Sequence, residues 1–476
     1  MRLLATIGLV MGLAATAAAQ SMPSMLEQTI RETSLHGSHL GVLVSDLPSG
    51  RVLYAHNADD AFAPASTLKL LTGATALETL GSNATFLTSL ELRGRQQGQQ
   101  FEGEVILHLG GDPLLTQADL RSAAQALVQR GISVIHGHLR LEAQIHEAQA
   151  YPEGWLLDDL PFDYAPPVPG IALDENIIHV AVTAARSVGA PATLTLSSAD
   201  AAILKRLDLH VTNLTTTTAT NQADTLAPWW GHGHLGVSGA VPLGVDAEDV
   251  SVAVPDASNF VLASLAEVVA QAGISLLPTQ GVAVHAEGEQ LVWKHSSPSL
   301  GQIVRKMWLR SDNFIAETLL EQLGAHHPEL GVDPRIAGLA FEEKLLEQRG
   351  LDISSLVLND GSGLSRYDLV TPRLYANLLA HLWASSARQQ ILNSLPLAGV
   401  RGTLAHAFRD TPIAGHYYAK TGGMRNVANL SGFLQTSSGH WLSVTILCDD
   451  APIDDHELRT LQTRLLRQLI ERDGAL

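Results

Sequence analysis

A single cysteine, Cys448, occurs in the 476 residues, so no intramolecular disulfide can form even in an oxidising compartment. It closes the run Leu442-Ser-Val-Thr-Ile-Leu-Cys448, which reads as a buried strand with a core thiol. Basic residues are scarce as well: 30 Lys and Arg stand against 48 Asp and Glu, giving a net charge of −18. That balance argues against nucleic acid and anionic membrane as default partners. Only six of the basic residues are lysines, which makes the setting of each one informative. Long apolar runs are missing apart from Leu3 to Ala15, itself shorter than the roughly 20 residues a spanning helix requires.

That one run sits between Met1-Arg2 and the small residues Ala17-Ala18-Ala19, the pattern of a secretory signal cut before Gln20. Removing residues 1–19 leaves about 457 residues (476 − 19) and a charge of −19, since Arg2 is lost (−18 − 1). The mature chain is expected in the periplasm, without a transmembrane segment. With 46% hydrophobic residues it can bury ample apolar surface, and its length predicts two or three domains rather than one core.

Apolar residues recur at helical spacing over 26–35, and Gly41 to Asp46 and Arg51 to His56 bracket Leu-Pro-Ser-Gly as a β-hairpin. A second helix begins near Ser66 and stops at Gly81. From about residue 91 short alternating segments such as Glu104 to Leu109 and His138 to Glu142 predict a β-rich insert, with a Pro-rich loop from Pro161 to Pro169. A Thr-rich strand pair is expected around Leu209 to Thr220, within a possible nested subdomain near 180–262. Helical texture returns at Ser299 to Leu323 and near Arg335 to Arg349, and the chain closes on Tyr417 to Thr421, two apolar strands and a helix from Asp455. Residues 20–90 and 292–476 therefore read as one α/β (α+β) domain interrupted by an insert at 91–291. Leu458, Leu461, Leu465, Leu466 and Ile470 line one side of the last helix, which could lie on a membrane or cover the sheet; its acidic residues favour the sheet.

Three short motifs follow one another: Ser66-Thr-Leu-Lys69, Ser311-Asp-Asn313 and Lys420-Thr-Gly422. Alone, each has an ordinary reading, as a helix cap with a solvated lysine, as another cap before Phe314 to Leu320, and as a strand ending in a glycine turn. Among the six lysines, however, only Lys69 has a serine three residues before it, and among the asparagines only Asn313 has one two residues before it. The ordered trio is the motif set of penicillin-binding proteins and class A β-lactamases. Residues i and i+3 share a helix face roughly 4.5 Å apart along the axis, so Lys69 can reach the Ser66 hydroxyl. A serine needs a base to take its proton, and a lysine serves if desolvation and nearby cations keep it neutral; Lys420 is the expected second cation.

These residues resemble the low-molecular-mass class C penicillin-binding proteins, D-alanyl-D-alanine carboxypeptidases and endopeptidases, over nearly the whole mature chain. Arg310 to Leu320, Asn359-Asp-Gly-Ser-Gly-Leu-Ser-Arg366, Gly402-Thr-Leu404 and Ala419 to Phe433 carry the likeness beside the trio, as does the gap of 242 positions (311 − 69) after the first motif. The resemblance implies a β-lactamase/transpeptidase-like domain with a large insert between the first and second motifs. It implies Ser66 as acylated nucleophile, Lys69 as its base and Ser311 as proton relay to the departing amine. Asn313 is expected to hold the substrate amide, Lys420 and Thr421 of the Lys420-Thr-Gly422 strand to bind its terminal carboxylate, and the N–H groups of Ser66 and Gly423 to form an oxyanion hole. Asp159, after Gly154-Trp155, is placed to meet the free amino group of a diaminopimelyl side chain, with Tyr164 and Met424 along its aliphatic part and Arg366 and Arg425 facing the cleft. Gly423 departs from the Thr or Ser frequent at its position in relatives.

The expected activity is a metal-free and cofactor-free serine DD-peptidase acting on peptidoglycan peptides and acylated by β-lactam antibiotics. The alternatives are a serine β-lactamase, disfavoured because no Glu-x-x-x-Asn loop closely follows the first motif, and a non-catalytic peptidoglycan-binding scaffold. Tyr375-Ala-Asn377 imitates a Tyr-x-Asn motif but lies in an amphipathic helix pattern. His136-Gly-His138 and His232-Gly-His234 each lack an evident third metal ligand.

Overall fold

The computed structural model describes residues 21–33, 37–145, 149–168, 170–231, 233–278, 289–451 and 455–471. The signal segment 1–19 lies outside these, as do His232 and Pro169. The two ends of the chain meet in one five-stranded antiparallel sheet, ordered Tyr417–Met424, Val427–Gln435, Trp441–Asp449, His39–Asp46, Val52–His56. Strand His39–Asp46 is buried at nearly every position because both faces of the sheet are covered. Helices Met22–Glu32 and Asp455–Glu471 cover one face, where Leu26 and Leu458 join Val44, Val444 and Ile446 in a single cluster. The apolar stripe of the terminal helix, Leu458, Leu461, Leu465, Leu466 and Ile470, is buried there, so it serves the sheet. Cys448 lies within the same layer, fully buried, and burial pushes its thiol up to about 12, a value at which it stays unreactive.

On the opposite face, helices Lys69–Leu80, Leu300–Arg310, Asn313–Ala325 and Pro372–Ala384 enclose Trp308, Leu319, Leu378 and Phe433. The helical stretch from Ser299 to Leu323 is two helices, divided at Ser311, whose φ of 60° puts it in the left-handed region. The second helix restarts on Asp312, whose carboxylate accepts a hydrogen bond from the Ile315 N–H at 3.0 Å.

Between residues 87 and 296 the chain builds other sheets. Strands Leu87–Gln97 and Glu289–Ser296 run antiparallel side by side and carry the chain in and out. They belong to a five-stranded sheet with Gln100–Leu109, Val134–Ala143 and Ser275–Leu277, and two three-stranded sheets share its hydrophobic core. The Thr-rich segment forms one strand, His210–Thr218, instead of the expected pair; its partner is His234–Pro242, in parallel. A parallel partner comes from a distant stretch by a crossover, so Leu209 to Thr220 needs no turn of its own.

Candidate active site

Ser66 stands in a single 3-10 turn, Ala65–Leu68, that runs straight into helix Lys69–Leu80. The turn is pinned from within: Thr67 Oγ1 donates to the Pro64 carbonyl at 2.6 Å and meets the Tyr375 hydroxyl at 2.9 Å. Ala65, just before Ser66, has φ 44°, a conformation costing on the order of 1 kcal/mol in a non-glycine residue. Gly363 backs it, since a Cβ there would stand 1.9 Å from the Ala65 carbonyl oxygen; only glycine lets the two backbones approach this closely.

Lys69 is fully buried, and its Nζ has three partners: Ser66 Oγ at 2.9 Å, Asn313 Oδ1 at 2.6 Å and the Ser362 carbonyl at 2.7 Å. Two of these can only accept. A neutral amine therefore gives its two N–H groups to Asn313 and Ser362 and turns its lone pair to the Ser66 hydroxyl, the arrangement a base needs. Burial lowers the Lys69 ammonium to about 8, against the charges of Asp360, Glu317 and Asp312, which favour its protonated form. The sequence reading gave nearby cations a share in that lowering. Burial accounts for it here, and the mutual repulsion of the two lysines is felt at Lys420, held well below its ordinary value by burial first and by Lys69 second.

Lys420 is equally buried and donates to Ser311 Oγ and to the Thr421 carbonyl, both at 2.7 Å. The left-handed turn at Ser311 aims its hydroxyl at that amine while Asn313, two residues on, faces the other lysine. Asn313 Nδ2 also donates to the Tyr164 carbonyl at 2.7 Å, so the insert closes one wall. The result is two serine and lysine pairs held by one asparagine and one strand.

Ser66, Ser311 and Asn313 open on a cleft of about 530 Å³ whose other walls include Asp159, Tyr164, Arg366, Gly423, Met424 and Arg425. Nine of the residues singled out from sequence thus line one cavity. Lys69 and Lys420 lie behind it, and Thr421 and Gly422 border an adjoining groove. Asp159 accepts a hydrogen bond from the Tyr164 hydroxyl at 2.9 Å, while burial first and then this carboxylate push the phenol pKa up. Arg366 donates to the Arg425 carbonyl at 3.1 Å, closing the rim.

Several residues without an assigned role in the sequence reading complete the site. Asp360 accepts from the backbone N–H groups of Ser362, Gly363 and Ser365 at 3.1, 2.6 and 2.7 Å, and from Trp155 Nε1 at 2.9 Å. One carboxylate thus sets the loop whose Ser362 carbonyl holds Lys69 and ties it to the segment carrying Asp159. The Asp-Gly-Ser-Gly run was its only sequence signal. Glu317 accepts from the Gly361 N–H beneath the loop, and burial, then the charge of Asp360, raise it to about 8. Asp158 and Leu156 line the cleft, and Thr403 Oγ1 lies 2.8 Å from Thr421 Oγ1.

Tyr375 is the core residue that pins Thr67, and Asn377 borders a separate pocket of about 230 Å³, so that pair stays outside the cleft. Among the described residues the His, Asp and Glu side chains close enough together to share a metal are Glu91, His108 and Glu289 on the insert, where the Arg93 guanidinium pairs with Glu289. Among the described residues no helix is long and apolar enough to cross a membrane.

The family model for D-Ala-D-Ala carboxypeptidase 3 (S13) matches residues 22–470. A D-alanyl-D-alanine carboxypeptidase of Actinomadura sp. (strain R39) is 30% identical over 434 residues, 87% of this chain and 78% of that one. The D-alanyl-D-alanine carboxypeptidase DacB of Haemophilus influenzae is 24% identical over 438 residues, 90% and 89% of the two chains. The crystal structure of penicillin binding protein 4 (dacB) from Haemophilus influenzae shares the fold, with a TM-score of 0.79 at 24% identity over 93% of this chain and 98% of that one. With Ser66, Lys69, Ser311, Asn313 and Lys420 converging as described, the chain belongs to the D-Ala-D-Ala carboxypeptidase 3 (S13) family and is a serine DD-peptidase of the low-molecular-mass class C penicillin-binding type.

Proposed function

We propose that this chain cleaves D-Ala-containing peptidoglycan peptides through an acyl-enzyme on Ser66. The observation that carries the reading is Lys69 Nζ, buried, 2.9 Å from Ser66 Oγ and holding two carbonyl acceptors. Lys69 takes the Ser66 proton as Oγ attacks the penultimate D-Ala carbonyl. The N–H groups of Ser66 and Gly423 stabilise the oxyanion. When the C–N bond breaks, Ser311 gives its proton to the leaving amine and recovers one from Lys420. The proton that Lys69 took passes through solvent to Lys420. Lys69, neutral again, deprotonates the water that attacks the ester carbonyl and returns that proton to Ser66 Oγ as the C–O bond breaks. Asn313 orients the substrate amide with the second N–H of Nδ2, and the terminal carboxylate sits against Lys420 and Thr421, whose negative charge draws a proton onto Lys420.

At the other end of the cleft Asp159 receives the free amino group of a diaminopimelyl side chain, its methylenes lying along Tyr164 and Met424, with Arg366 and Arg425 at the rim. A β-lactam acylates the same Ser66. Incubated with purified pentapeptide and crosslinked muropeptides, the protein should release free D-alanine or convert dimers to monomers, as read by mass analysis. A protein that leaves both substrates intact is the scaffold, not the enzyme.

The mature form works in the periplasm after export. N-terminal sequencing of the exported protein should begin at Gln20; a chain still starting at Met1 would mean an uncleaved anchor.

A further inference from the structure

The two acceptors that set the direction of the Lys69 lone pair both trace back to the insert. Asn313 Oδ1 takes one N–H of Nζ at 2.6 Å, and the same amide donates from Nδ2 to the Tyr164 carbonyl at 2.7 Å. The Ser362 carbonyl takes the other N–H at 2.7 Å. Its loop is folded around the fully buried carboxylate of Asp360, which accepts from the Ser362 N–H and Oγ and from the N–H groups of Gly363 and Ser365. Those donors belong to the loop itself and would turn with it. Trp155 Nε1, 2.9 Å from Asp360 Oδ2, comes from the insert and fixes the loop to a point outside it.

The indole is firmly seated. Its ring packs against Val168, Ala172 and Phe314, and Phe314 follows Asn313 in the chain. Beside it the Gly154 carbonyl accepts from the Arg366 N–H at 3.3 Å, and a Cβ on Gly154 would stand 2.4 Å from Ser365 Oγ, so the two segments meet closely only because glycine is there. One tryptophan thus bears on both arms that hold Lys69, through its N–H on one and through its ring on the other. The demand on this geometry is strict. A base must lie within hydrogen-bond reach of the proton it takes, and a misplacement of about 1 Å can cost on the order of 10²-fold in rate.

We infer that Trp155 is a positioning residue for catalysis, aiming the Lys69 amine through the Asp360 carboxylate and the Ser362 carbonyl. The insert is then part of the machinery of bond cleavage as well as a wall of the cleft. The assignment rests on the Ser66 reading above. The cleft wall at this point is formed by Leu156, Asp158 and Asp159, while the indole N–H is engaged by Asp360. Removing that N–H should therefore slow turnover without weakening binding. Because Lys69 serves both acylation and ester hydrolysis, kcat falls whichever step is slower.

The probe is diacetyl-L-Lys-D-Ala-D-Ala, whose side chain has no free amine to pair with Asp159, so an effect on it does not pass through that carboxylate. Two replacements are compared: Trp155→Phe, and benzothienylalanine inserted at position 155, which keeps the bicyclic ring and lacks only the N–H. Each should lower kcat about tenfold, with KM within twofold of wild type. Rates are expressed per site titrated with labelled penicillin at long times. A merely structural role changes the number of titratable sites and leaves kcat per site alone. A kcat per site within twofold of wild type in the benzothienylalanine protein, whatever KM does, overturns the assignment. Failure of the Ser66 reading is distinguishable, because the wild type then has no site that penicillin titrates.

Discussion

Labelled penicillin marks the wild-type protein and leaves Ser66→Ala unmarked. The expected contrast is large because the substitution removes the atom that becomes acylated, and loss of a serine nucleophile costs on the order of 10³ to 10⁶ in rate in other serine hydrolases. The change should spare the fold. The hydroxyl faces the cleft and its hydrogen bond is to Lys69 Nζ, which keeps its bonds to Asn313 and Ser362, so the loss of stability stays near 1 kcal/mol. Ser311→Ala provides the internal comparison. It removes a hydroxyl held by the other lysine at 2.7 Å and should slow acylation without abolishing the covalent adduct. Equal labelling of wild type and Ser66→Ala would refute the nucleophile, and loss of labelling only in Ser311→Ala would transfer the role to the second serine.

The pairing of Ser66 with Lys69 was legible because helical spacing converts three residues of sequence into one turn of space, and a lysine is conspicuous in a chain with six. The spacing could not show how the pair is held. Lys69 is fixed by the Ser362 carbonyl and Asn313 by the Tyr164 carbonyl, and a backbone oxygen leaves no trace in residue identity. Burial depth was equally hidden, which is why the lowering of Lys69 was partly credited to a neighbouring cation when desolvation accounts for it. The terminal helix illustrates the same limit in the fold. Its stripe from Leu458 to Ile470 would look identical against a membrane or a sheet, and its contacts with the sheet and the Met22–Glu32 helix decide. In the insert, strands were visible as alternation, but pairing was not. Thr215 and Thr217 point inward on one strand whose partner lies some twenty residues away, and a threonine run carries no signal of parallel or antiparallel neighbours.

Lys69→Ala should be a folded protein that neither binds penicillin covalently nor cleaves muropeptides, its acylation lowered on the order of 10³-fold or more. Folding survives because the buried ammonium opposes it. A shift from 10.5 to about 8 amounts to about 3 kcal/mol at neutral pH, and removing that cost offsets the cavity and the two carbonyl oxygens left without their donor. The sign can be checked by titration. The folded chain releases the Lys69 proton more readily than the unfolded one, so between pH 8 and 10.5 Lys69 contributes a gain in wild-type stability as pH rises, opposed from about pH 9 by the raised Cys448 thiol, which acts with the other sign. Lys69→Ala should lack that share of the gain, keeping only the contribution of the same sign from Lys420. In the wild type, acylation should climb with pH and reach half its maximum near 8 as Lys69 loses its proton. A variant that is acylated at the wild-type rate, or a wild type whose acylation is flat from pH 6 to 9, would remove Lys69 from the role of base.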